Sequence, residues 1–192
     1  MRHTGTIALE TERLILRRFT AEDAAPMFEN WAADPDVTKY LPWKEYSRAD
    51  DVRAYLKGLE EKYLSPDFYD WCIVWKENGE PIGSAGAVSV NDRLCSFSVG
   101  YCLSKKYWGR GIIPEAVNAV LKHFFETVGA ARVSGAHFVD NPKSGRVLAK
   151  CGFKEEGLLR KNALDNAGNF VDVKLYALTD DDYFSSKNNK NR

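Results

Sequence analysis

Two glycines at alternate positions, Gly109 and Gly111, lie inside the segment Lys105-Lys106-Tyr107-Trp108-Gly109-Arg110-Gly111-Ile112-Ile113-Pro114-Glu115. Glycine lets the main chain come close to a ligand. Successive free N–H groups then point into one concavity, and the start of a helix adds partial positive charge. Such a bend favours a phosphate or pyrophosphate, and Lys105, Lys106 and Arg110 add full charges nearby. A tight strand-to-helix turn with solubilising lysines fits G-x-G equally well when it is read alone. Spacing excludes two common phosphate loops. A Walker loop needs G-x-x-x-x-G-K-[ST], and Ile112, not lysine, follows Gly111. A dinucleotide fingerprint needs a third glycine where Pro114 stands.

Other chemistry-bearing residues are scattered. His3, His123 and His137, with Cys72, Cys95, Cys102 and Cys151, form no pair at metal-ligand spacing, so no metal centre is expected. His137, on a strand, reads as structural, and His123, on the polar side of a helix, as solvated. Cys102 and Cys151 read as packing thiols in a reducing compartment. In Asn141-Pro142-Lys143-Ser144, Asn141 reads as a helix cap with Ser144 in the first turn. Among the early aromatics Trp31 and Trp71 read as core. Trp43, between Pro42 and Lys44, reads as a pocket wall.

The elements that must hold these groups follow from periodicity. Leu14-Ile15-Leu16 makes a first strand. Thr20 with Asp23 caps a helix carrying Met27, Phe28 and Trp31, and Ser47 with Asp50 caps a second carrying Val52, Tyr55, Leu56, Leu59 and Tyr63. Alternation from Tyr69 to Trp75, the hairpin signal Asn78-Gly79, a return strand to Val90 and alternation from Cys95 to Leu103 predict a meander. A helix from Ile113 to Gly129 and a strand to Val139 complete a βαβ unit, so strands 94–103 and 131–139 should be parallel neighbours. A short helix closed by Gly152 and two final strands follow. The fold class is α+β (mixed α/β), with a central mixed sheet of six to seven strands and helices on both faces.

The chain has 192 residues, 44% of them hydrophobic, with 27 Lys plus Arg against 27 Asp plus Glu. That composition excludes wholesale disorder and shows no basic excess for a nucleic-acid partner. No apolar run approaches the ~18 residues of a membrane helix, and Met1-Arg2-His3-Thr4 lacks a secretory signal. A cytoplasmic protein of one domain over 1–192 is expected, ordered from about 6 to 184, with 185–192 as a frayed polar tail.

Lys106-x-x-Gly109-x-Gly111 resembles the acetyl-CoA loop of the GNAT superfamily of N-acetyltransferases, with lysine where glutamine or arginine is usual. Val99-Gly100-Tyr101-x-Leu103, Glu115-Ala116, Asn141-x-x-Ser144, the run Leu148 to Phe153, Glu156-Gly157 and the opening Thr11-Glu12-Arg13-Leu14-Ile15-Leu16-Arg17 are similar to the ribosomal-protein N-terminal alanine acetyltransferase branch. The resemblance runs from Leu9 to about Tyr183.

The resemblance implies a cleft between two splayed parallel strands, ending at Leu103 and Val139, with acetyl-CoA lying in it. Its pyrophosphate would meet the N–H groups of Trp108, Gly109, Arg110, Gly111 and Ile112, near Lys106. Its pantetheine arm would pair with backbone at Tyr101, Cys102 and Leu103 and meet Asn141 and Ser144. An N–H near Leu103 would polarise the thioester carbonyl, and the Ser144 hydroxyl would protonate the thiolate. The family's glutamate base is missing from Asn162-Ala163-Leu164-Asp165-Asn166, where Asp165 alone is acidic; an α-amine acceptor, with its lower pKa, needs that help least. Glu115 reads as a first-turn helix acid. A protein N-terminus or a small-molecule amine is the implied partner, a homodimer stays open, and a non-catalytic acyl-CoA sensor is the rival.

Overall fold

Period-two burial builds the sheet. In the computed structural model, which describes residues 1–190, the strands are β1 (Leu9–Glu10), β2 (Leu14–Arg17), β3 (Asp70–Trp75), β4 (Glu80–Asn91), β5 (Ser96–Leu103), β6 (Arg132–Phe138), β7 (Lys154–Leu164) and β8 (Phe170–Thr179). They form one eight-stranded sheet in the order β1-β2-β3-β4-β5-β6-β8-β7. Every neighbouring pair is antiparallel except β5 and β6, the expected parallel pair. The expected six to seven strands become eight because Leu9–Glu10 turns back onto Ile15 and Leu16 as a two-residue edge.

Helices cover both faces. Helix α4 (Ile112–Lys122) and helix α5 (Pro142–Lys150) pack on one face over Phe97, Val99, Leu103 and Val133. Helix α1 (Ala24–Met27) and helix α3 (Ala49–Lys62) cover the other face around Trp31, Leu56, Cys72 and Val74. Two further helices were not foreseen. In α2 (Pro35–Thr38), the Asp34 side chain caps the Asp36 N–H at 2.9 Å behind Pro35. In α6 (Asp180–Lys190), three first-turn aspartates suit the helix dipole. Tyr183 stacks on Phe125 at 4.7 Å. The stretch expected to be a tail is therefore helical through Lys190; positions 191 and 192 lie outside the described residues.

Two local expectations are corrected. Helix α3 is entered through Arg48, not Ser47, and has no side-chain cap. His123 is buried, not solvated. The helix widens into a π-turn at His123–Val128, which rotates the ring inward onto Tyr69 and Trp71. There it bonds the Thr4 hydroxyl at 2.9 Å, and burial lowers its pKa.

Candidate active site

The parallel pairing of β5 and β6 is short. It joins Ser96 to Arg132, Phe97 to Val133 and Ser98 to Ser134, and stops. Beyond that row β5 stays on β4 to Leu103, and β6 stays on β8 to Phe138. The strands part because each follows its outer partner, and a bulge at Val88 in β4 adds local twist where β5 leaves. The Ser104 N–H donates to Ile82 at 2.7 Å, which fixes the alternation: even-numbered residues of this part of β5 bond β4. The N–H and C=O groups of Tyr101 and the N–H of Leu103 therefore face the gap. An interior edge of this kind is ready to receive an extended, amide-bearing chain.

The glycine loop closes the end of the gap. Gly109 and Gly111 hold φ of 79° and 73°, a region that favours glycine. Among the described residues, no acceptor pairs with the N–H of Gly109, Arg110, Gly111 or Ile112. The Trp108 N–H differs: it donates to Lys105 at 3.2 Å. The amide cradle thus begins at Gly109, one residue later than expected. The Trp108 indole N–H donates to the Leu103 carbonyl at 2.8 Å, pinning the loop to the end of β5.

The charges around the loop are arranged differently from the sequence reading. Lys105 pairs with Asp36, and Lys106 bonds Asn30 at 3.3 Å. Arg110 lies over the Tyr107 ring, and Lys143, from the first turn of α5, lies over the Trp108 ring at 4.8 Å. Arg13 supplies the missed contact. Its guanidinium donates to the Arg110 carbonyl at 3.1 Å and to Glu115, with N–O distances of 2.7 and 2.6 Å. Glu115 also accepts from the Thr11 hydroxyl and the Arg13 N–H. These bonds hold its carboxylate below its ordinary pKa against the opposing effect of burial. Glu115 is a clamp between the N-terminal strand and α4. The Thr11-Glu12-Arg13 run was visible in sequence, but its partner lay about a hundred positions away.

On α5, the Tyr101 hydroxyl lies 2.9 Å from the Ser144 hydroxyl and 3.0 Å from the Ser144 carbonyl. Burial raises the Tyr101 pKa, so the phenol stays protonated. Asn141 makes no side-chain cap bond; its backbone carbonyl accepts from Ser144 instead. Its amide is therefore free beside the gap.

A family model described as an acetyltransferase (GNAT) domain matches residues 13–154. The chain belongs to the GNAT acetyltransferase family. The uncharacterized N-acetyltransferase p20 of Bacillus licheniformis is 29% identical over 91% of this chain and 97% of its own. The [ribosomal protein uS5]-alanine N-acetyltransferase of Escherichia coli is 25% identical over 92% and 93%. The structure of the microcin C7 self-immunity acetyltransferase MccE, solved with acetyl-CoA and AMP, shares the fold at a TM-score of 0.80 and 19% identity, over 88% and 93% of the two chains. The chain is an acetyl-CoA-dependent N-acetyltransferase by family.

Within this GNAT fold the remaining candidates separate. His137 Nδ1 bonds the Phe138 carbonyl at 2.7 Å, and the ring packs against Gly145 and Tyr176, with Nε2 buried and unpartnered. Cys102 turns away from α5, onto the α3 side, with Sγ 3.3 Å from the Ser84 hydroxyl. Burial pushes its thiol up to about 11. Asp165 is occupied by its own turn, accepting from the N–H groups of Ala167 and Asn169 and the Asn169 side chain. Those bonds lower its pKa and leave it a turn-former. Trp43 is half-buried against the α3 cluster, 5.7 Å from Tyr46. Among the described residues no helix is long and apolar enough to cross a membrane, and no group of three metal-ligating side chains occurs.

Proposed function

We propose that this enzyme moves the acetyl group of acetyl-CoA to a primary amine, with the α-amino group of a protein N-terminus as the leading acceptor. The observation that carries the transfer chemistry is the end of β5–β6 pairing at Ser98/Ser134, directly before an unpaired amide cradle. These features fit a ligand with a diphosphate at one end and an amide-bearing arm. The N–H groups of Gly109 to Ile112 receive the diphosphate, with Arg110 and Lys143 adding charge. The open edge at Tyr101 and Leu103, with the free Asn141 amide, orients the arm. Acetyl-CoA supplies the activated acyl group.

The chain's own groups do the rest. The Leu103 N–H faces the gap and stabilises negative charge on the acyl oxygen. The Ser144 hydroxyl, backed by the protonated Tyr101, delivers a proton to the departing sulfur and is restored, through solvent, by the proton that the acylated nitrogen sheds. The relative that acts on ribosomal protein uS5 supports a protein N-terminus. So does chemistry: an α-amine near pKa ~8 is partly neutral at pH 7, whereas a lysine amine near ~10.4 is not.

The test is thiol release from acetyl-CoA with peptides bearing free α-amines, Nα-blocked lysine peptides and small amines. Turnover on the first group is expected. Turnover confined to small amines replaces the acceptor. Acetyl-CoA binding without turnover on any amine favours an acyl-CoA sensor.

A further inference from the structure

Asp70 is a charged residue set inside an otherwise apolar strand, Tyr69-Asp70-Trp71-Cys72-Ile73. Parity places it with Cys72 on the α3 face of the sheet, opposite α4 and α5. Among the described residues no cation lies within ion-pair distance of its carboxylate, and no donor bonds it. The residue is partly buried, and even partial burial of an unpaired carboxylate is costly.

The register shows where it points. Asp70 stands opposite Gly86 on β4, and Gly86 stands opposite Gly100 on β5. A Cβ on Gly86 would lie 3.1 Å from Asp70 Oδ1, so the carboxylate already leans over β4. Gly100 comes two residues after Ser98, where β5 and β6 part. The distance left to cover is about one strand spacing, ~5 Å. The next row, Cys72, Ser84 and Cys102, is also small. This floor leads from Asp70 to the head of the gap. Tyr46, Tyr55 and Trp43 stand over the same face, with ring centroids 5.7 to 6.5 Å apart. Aromatic faces beside a carboxylate suit a cationic amine.

We propose, building on the transferase reading, that Asp70 binds the acceptor's ammonium group and takes its proton. One N–H bond of the ammonium breaks, its proton passes to a carboxylate oxygen, and the nitrogen lone pair is freed at the gap, between the Gly100 and Leu103 rows of β5. The proton later leaves to solvent, since Asp70 is not fully sealed. The groups facing Asp70 are Tyr55 and Lys62 from α3, Tyr63 just after it, Cys72 from its own strand and Cys102 from β5.

The test compares the wild type with Asp70→Asn, Asp70→Glu and Gly100→Ala. Acetyl-CoA affinity is measured by calorimetry. Amine binding to the CoA-bound enzyme is measured by thermal shift, and kcat/KM for the best amine is followed from pH 5 to 9. Asp70→Asn should lose 10²- to 10³-fold in kcat/KM, abolish the acidic limb of the profile and weaken amine binding, with acetyl-CoA affinity within about twofold. Asp70→Glu should recover part of the rate. Gly100→Ala places a methyl on the floor, 2.6 Å from Cγ2 of the exposed Val88, whose side chain must turn to make room, and should impair amine binding more than acetyl-CoA binding. An Asp70→Asn enzyme with wild-type kcat/KM and pH profile overturns the assignment while leaving the transferase reading intact. A wild type that binds acetyl-CoA but no amine overturns both.

Discussion

The Tyr101–Ser144 hydroxyl pair spans from the cleft strand to α5 at 2.9 Å. If Ser144 protonates the leaving sulfur, Ser144→Ala should lower kcat about tenfold or more while acetyl-CoA affinity changes less than about twofold. Steady-state and binding measurements on one preparation check this; unchanged kcat removes Ser144 from the chemistry. Tyr101→Phe should lose part of the same factor, and the double variant little more, because the two groups act as one unit. Asp70 belongs to this scale as well. Burial raises its carboxyl from 3.8 to about 6, with Lys62 opposing. Its folded form therefore binds a proton more tightly than the unfolded chain does. The favourable contribution is complete below about pH 4 and is lost as pH rises through 6, a change of about 3 kcal/mol at most. Relative to Asp70→Asn, the wild type should lose denaturant stability between pH 4 and 6 and then level off. A flat difference across that range contradicts the burial account. Asp70 stood in the sequence as one polar position of an alternating strand; its direction over Gly86 depends on the register of the β3–β4 hairpin, which a bulge between Ile73 and Val74 shifts.

Between strand and helix, the glycine loop is held by pieces that the sequence shows only separately. Gly109 has φ of 79°, and a methyl added there would meet nothing within 4 Å. Gly109→Ala therefore costs backbone strain of about 1–2 kcal/mol, with no clash. Its expected consequence is weaker acetyl-CoA binding by calorimetry, about tenfold, since the cradle must tilt. Arg13→Ala should weaken acetyl-CoA similarly and lower stability by about 1–3 kcal/mol, because Glu115 is left with a partly buried charge and fewer donors. Denaturation and calorimetry together separate the two effects. The loop, its glycines and Pro114 were readable because local spacing dictates local bends. The Arg13–Glu115 clamp was not, since ion pairs between distant segments leave no periodic trace. His123 was misread for a related reason: a π-turn changes the angle per residue, and the helical wheel then assigns the wrong face.

Over the whole molecule, the sheet separates two jobs. One face, with α4 and α5, carries the loop, Asn141 and Ser144; the other, with α1 and α3, carries Asp70 and the aromatic walls. The gap between β5 and β6 connects them. A segment from Asp34 to Tyr46 packs through Val37, Trp43 and Tyr46 on the face covered by α1 and α3, the proposed acceptor side. It is tied to the β7–β8 turn by Asn166 on the Thr38 carbonyl and to the end of β6 by Tyr40 against Phe138. Ligand filling the gap should stiffen both halves. At a hundredfold excess over Kd, acetyl-CoA should add about 2.7 kcal/mol, seen as a rise of several degrees in Tm. No shift at that saturation contradicts the cleft. By itself the sequence determined the strands, most helices, the phosphate-seeking bend and the parallel βαβ unit, because these follow from short-range periodicity and glycine geometry. The tertiary structure decided that the parallel strands part after Ser98, which amides stay unpaired, and that Asp70 faces a glycine floor. Those outcomes depend on which outer strand each inner strand follows, and on rows of residues brought side by side only when the sheet is assembled.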